Sequence, residues 1–99
     1  MQVHITGRHV EITDGIRKHI FDKTERSLSD FSRVEDVRIV VDHQKHEDVA
    51  EVLVQGKDLH VDGKFASENM YKSIDQALEK VESQLRKLRE KMQEHHGKD

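Results

Sequence analysis

Residues Val34–Phe65 read VEDVRIVVDHQKHEDVAEVLVQGKDLHVDGKF, and how this stretch pairs decides the fold. It holds three runs rich in β-branched residues: Val34–His43, Val49–Gln55, and Lys57–Phe65, in which Leu59, Val61, Gly63 and Phe65 alternate with polar residues. β-Branched side chains suit a pleated, half-buried surface, and alternation places one set of them on a single face. The interruptions are short: QKHED in one case, a tight turn at Gly56 and Lys57 in the other. Three strands so closely joined are expected to form an antiparallel meander.

Upstream, Gln2–Arg8 alternates as well, with Val3 and Ile5 on one side and His4 and Thr6 on the other, which predicts a fourth strand. Between them lies a helical pattern. Thr13 is suited to cap a helix start and Asp14 complements its positive end; Ile16, Ile20, Thr24 and Leu28 then recur every four residues. The spacing predicts a helix over Asp14–Ser29. Downstream, Ser67 or Glu68 is expected to open a long final helix whose apolar residues are Tyr71, Ile74, Leu78, Val81, Leu85, Leu88 and Met92. Their alternating spacing of three and four makes a narrow stripe fit for lying on a sheet or along another helix, with Met70 and Tyr71 as core anchors. The order β-α-β-β-β-α predicts an α+β fold: a four-stranded sheet with two helices packed on one face. A single domain over residues 1–94 is expected, followed by a frayed tail over residues 95–99.

The composition excludes several kinds of function. Of 99 residues, 33% are hydrophobic and 37% charged, enough for a thin two-layer core but not for a deep substrate cavity as well. The chain has no Cys, so thiol chemistry and disulfides are excluded. No stretch has the length and apolarity of a signal peptide or membrane span, and a cytoplasmic protein without a membrane partner is expected.

A formal net charge of −3 argues against a polyanionic partner until the charge is mapped. From Glu35 to Asp62, eight acidic residues stand against three basic ones; from Ser83 to Met92, Arg86, Lys87, Arg89 and Lys91 oppose only Glu90. At 100° per residue, Lys80, Gln84, Lys87 and Lys91 form one ridge beside the apolar stripe, and Asp75, Glu79, Glu82 and Arg86 form the opposite flank. The first helix carries His19, Lys23 and Arg26 on one flank, and Arg17 falls closer to its buried side. Two parallel cationic ridges on neighbouring helices would present rows of donors to an extended polyanion. The alternative is a solvated helix surface, with the stripe serving instead as a seam for weak self-association or for docking a partner.

Other chemistry has little footing. Eight His residues invite a metal, but structural zinc needs four convergent ligands and the close-set pairs are only His43/His46 and His95/His96. Glu35/Asp36 and Glu47/Asp48 are carboxylate pairs in turns, without a pocket to set their proton affinities apart. Neither a cofactor, a metal nor a small-molecule substrate is expected, and the chain is not expected to be an enzyme.

The segments ITGRHVEIT (Ile5–Thr13) leading into IRKHI (Ile16–Ile20), ENMYKSID (Glu68–Asp75) and KVESQLRKLREK (Lys80–Lys91) together resemble the family of ribosome hibernation promoting factors and ribosome-associated inhibitors, also known as sigma-factor modulation proteins. The likeness spans nearly the whole chain in the same order. It implies the same β-α-β-β-β-α fold and binding to the small ribosomal subunit in the channel shared by messenger RNA and tRNA, silencing translation under stress or in stationary phase. It also implies that Arg17, Lys23 and Arg26 on the first helix and Lys80, Lys87 and Lys91 on the second face ribosomal RNA. Ser83 and Ser27 stand where relatives often carry a basic and an apolar residue, and Thr24 replaces a larger apolar one. Arg86 and Arg89 supply compensating charge. If Asp99 is the natural end, so that the second, dimerising domain of the long members is lacking, the resemblance implies a chain that does not itself pair two ribosomes through a tail domain.

Overall fold

In the computed structural model, which describes the backbone of residues 1–97 and the side chains of residues 1–91, every expected element forms. The strands are β1 (Gln2–Arg8), β2 (Val34–Gln44), β3 (Glu47–Gly56) and β4 (Leu59–Ser67); the helices are α1 (Asp14–Leu28) and α2 (Met70–Gly97). The sheet runs β1-β2-β3-β4, with β1 parallel to β2 and the other pairs antiparallel. The tail expected over residues 95–99 lies outside the fully described residues.

Alternation turns into layers. Val37, Ile39 and Val41 of β2, Ala50, Val52 and Val54 of β3 and Val61 of β4 are buried on the helix-covered face. Ile16, Ile20 and Leu28 of α1 meet them with Met70, Ile74, Ala77, Leu78, Val81 and Leu85 of α2 in one cluster. Burying a side chain of this size is worth about 1.5–3 kcal/mol, so this single layer carries most of the stability. The helices need only one apolar stripe each because the sheet's other face stays in water.

The boundaries differ from expectation where local chemistry decides them. Thr13 caps α1 as read, its hydroxyl accepting from the Ile16 amide at 3.1 Å, but the helix ends at Leu28 with Ser29 as cap. β2 and β3 extend to Gln44 and Glu47, leaving Lys45 and His46 as a two-residue turn with φ of 48° and 67°. The second turn is Lys57–Asp58, with Asp58 at φ 56°, one residue later than expected. α2 opens at Met70 rather than near Ser67, because Ser67 still belongs to β4 and the Asn69 side chain accepts from the Tyr71 amide at 2.9 Å. Tyr71 is not a core anchor: it is 42% exposed and stacks edge-on against His19, with ring centroids 4.8 Å apart.

Candidate nucleic-acid interface

The cationic flank of α2 owes its position to a glycine. A Cβ at Gly63 of β4 would lie 2.8 Å from the Ala77 carbonyl oxygen and 3.0 Å from Lys80 Cβ, so only glycine lets α2 settle this close to the strand. The next side chains along that flank reach over the sheet edge. Lys80 Nζ donates to the Lys64 carbonyl at 2.9 Å and sits 5.4 Å from the Phe65 ring centroid; Gln84 Nε2 donates to the Asp62 carbonyl at 2.5 Å. Lys87 and Lys91 continue the flank, exposed and without an ion-pair partner among the described residues. From Lys80 to Lys91 the ridge spans about 16 Å of helix.

The expected second ridge does not run open beside the first. α1 packs against the other flank of α2, and the carboxylates there meet its cations. His19 Nε2 lies 2.6 Å from Asp75 Oδ1, and Lys23 Nζ lies 4.0 Å from Asp75 Oδ2. Arg86 pairs with Glu82 of its own helix at 3.8 Å. Lys23, Ser27, Asp75, Glu79, Glu82 and Arg86 line one inter-helix groove of mixed charge. The acidic flank of α2 thus separates the two sets of cations. The separation is soft: Lys23 and Asp75 are each more than a third exposed, and surface pairs of this kind contribute at most about 1 kcal/mol.

The eight residues read from the sequence therefore divide three ways. Lys80, Gln84, Lys87 and Lys91 share the flank above β4; Lys23 and Arg86 lie in the inter-helix groove; Arg17 and Arg26 stand exposed on α1. Arg17 is exposed even though the wheel set it near the buried side, because only its neighbours Ile16 and Ile20 turn into the core at this end of α1. Arg89 is held 4.6 Å from the Phe31 ring centroid. The sequence reading missed the tethering of Lys80 and Gln84 to β4. Its only trace in the sequence is Gly63 in the middle of a strand, the mark of another backbone coming close.

Four histidines find aspartates: His4 with Asp36 at 2.9 Å, His9 with Asp42 at 3.0 Å, His19 with Asp75, and His43 with Asp48 at 2.8 Å. Among the described residues no group of three or more His, Asp or Glu converges as a metal site would require. Asp42 is the most enclosed of these carboxylates. It also accepts from the His43 amide at 2.8 Å and from Gln44 Nε2 at 2.6 Å. The His9 contact, helped by those bonds and opposed by burial, holds its carboxyl below the ordinary value of 3.8. No helix of the described residues is long and apolar enough to cross a membrane.

Residues 3–93 match the family model described as sigma 54 modulation protein / S30EA ribosomal protein. The chain is 33% identical over 93 residues to the ribosome hibernation promoting factor of Pseudomonas putida, covering 94% of this chain and 91% of that one. It is 32% identical over 97 residues to the ribosome hibernation promoting factor of Escherichia coli K12, covering 96% and 100%. Among solved structures, the N-terminal domain of Thermus thermophilus protein Y superposes with a TM-score of 0.80 at 26% identity, over 89% of this chain and 99% of that one. A ribosomal subunit interface protein from Coxiella burnetii shares the fold, with a TM-score of 0.84 at 24% identity over 90% and 98%.

Proposed function

The chain belongs to the sigma 54 modulation protein / S30EA ribosomal protein family, and from that premise we propose that it is a ribosome hibernation factor that holds the small subunit through the phosphates of its rRNA. The cytoplasm is then its place of work. The named relatives support the ribosome as partner. The single observation that carries the contact surface is the α2 flank of Lys80, Lys87 and Lys91. Two of these ammonium groups have no ion-pair partner among the described residues, and the third meets a backbone carbonyl and the Phe65 ring but no carboxylate.

Lysine acts on phosphate as a compact point charge, so such a ridge reads backbone rather than sequence. Gln84 adds an uncharged donor to the same row. Arg17 and Arg26 on α1, and Lys23 and Arg86 once phosphate competes with their carboxylates, would widen the grip. The folded body would then occupy the channel used by messenger RNA and tRNA and exclude them sterically, a role that needs no turnover and no cofactor.

The test is cosedimentation with small ribosomal subunits. Lys87→Glu/Lys91→Glu is expected to abolish binding while the circular dichroism spectrum stays that of the folded chain; Lys80 is left intact because it also secures β4. A folded variant that still cosediments would overturn the assignment of this flank. The competing reading, a protein-interaction module acting through the end of the α2 stripe, rests on Leu88, which is 38% exposed. It requires instead that Leu88→Glu destroy binding while the lysine variant retains it.

A further inference from the structure

We propose that the free edge of β4 is a strand-pairing surface for a second copy of this chain, held shut in the monomer by Lys80 and Gln84. The sheet order leaves β4 as an outer strand, nine residues long, without proline and without a break in its register on β3. Edges this long and regular are templates for another strand unless something covers them.

What covers this one is slight. Gln84 and Lys80 take the carbonyls of Asp62 and Lys64, the two carbonyls on either side of the strand's centre at Gly63. In an antiparallel ladder the N–H and C=O of one residue point the same way and alternate from residue to residue. The amides of Asp62 and Lys64 therefore face outward as well, together with the backbone groups of His60 and Ala66.

The occupant follows from the sequence of the edge. An antiparallel pairing of β4 with itself about a two-fold axis at Gly63 sets Asp62 opposite Lys64 of the second copy, twice, as hydrogen-bonded pairs on the open face. On the helix-covered face it sets Val61 opposite Phe65 of the second copy, again twice. Gly63 meets Gly63, with no side chain between them. Opposite charges and an apolar–aromatic pair are the combinations that stabilise neighbouring strands, and a two-fold contact demands this kind of self-complementarity. Lys80 guards the edge a second way. Its Cβ lies 3.0 Å from where a Gly63 Cβ would stand, so the Lys80 side chains of two copies, both cationic, would be rooted close to the axis.

Sedimentation velocity over a concentration series tests the proposal. Lys80→Ala/Gln84→Ala frees both carbonyls and removes the like charges; self-association is expected to tighten by roughly tenfold or more over the unaltered chain. Adding Asp62→Lys sets Lys against Lys across the axis and returns the protein to monomer; adding Lys64→Asp on top restores the dimer. Should the alanine pair fail to fold, Lys80→Met/Gln84→Met removes the donors while keeping stems over Phe65 and gives the same readout. A monomer at every concentration in the released variants overturns the proposal. So does a dimer that ignores the Asp62 and Lys64 exchanges, since its contact would lie elsewhere.

Discussion

Thr24 sits on the apolar stripe of α1, fully buried, and its hydroxyl oxygen has no hydrogen-bond partner among the described residues. An unsatisfied buried hydroxyl is penalised by its lost hydration, and valine has nearly the same shape without it. Thr24→Val is expected to raise the urea midpoint of unfolding, corresponding to about 1–2 kcal/mol of added stability. Asp42 is the opposite case, a buried carboxylate with three partners. Because its folded-state proton affinity is depressed, its contribution is complete above about pH 3.8 and lost as pH falls through the lower folded value. Acid denaturation curves should therefore show a loss of stability below pH 4 that flattens in Asp42→Asn. His9, its principal partner, holds φ at 56°, so this bond also fixes the left-handed residue that turns the chain out of β1.

At the scale of elements, the β2–β3 hairpin closes on two residues that are both left-handed, as a type I′ turn requires, yet neither Lys45 nor His46 favours that region. Left-handed backbone costs an ordinary residue roughly 1 kcal/mol, so Lys45→Asn/His46→Gly is expected to stabilise the protein by about 1–2 kcal/mol in thermal melts. Both strands outlast the sequence reading for the same reason. QKHED carries no glycine to mark a tight turn, so it reads as a loop, although the ladder continues through Gln44 and Glu47. At the start of α2 the sequence points to Ser67 or Glu68, and only the pairing of Ser67 with Asp48 on β3 shows that the strand is still running there.

Over the whole molecule, charge is sorted by surface. Cations line the outer flank of α2, whereas the flank toward α1 carries Asp75, Glu79 and Glu82. Asp75 engages both His19 and Lys23, which keeps α1 from adding a full second row. Asp75→Asn releases Lys23, and the log–log salt dependence of small-subunit binding is expected to steepen by roughly one unit, measured by cosedimentation over a salt series. The Lys87/Lys91 variant should shift it the other way by roughly two units wherever residual binding can be measured. A change in slope separates phosphate contacts from a loss of fold, which would remove binding at every salt concentration.

Element order, the buried stripe of each helix and the membership of the lysine ridge follow from residue type and spacing alone. Those properties are periodic: Ile16, Ile20 and Leu28, or Lys80, Gln84, Lys87 and Lys91, share a face wherever the helix lies. Which neighbour each flank meets is settled by packing. Asp75 stands between the two sets of cations, and Lys80 and Gln84 rest on the β4 edge, because α2 packs over Gly63 with α1 on its other side. Rotation about a helix axis follows from local spacing, but the neighbour on each side follows from how the layers close around the core.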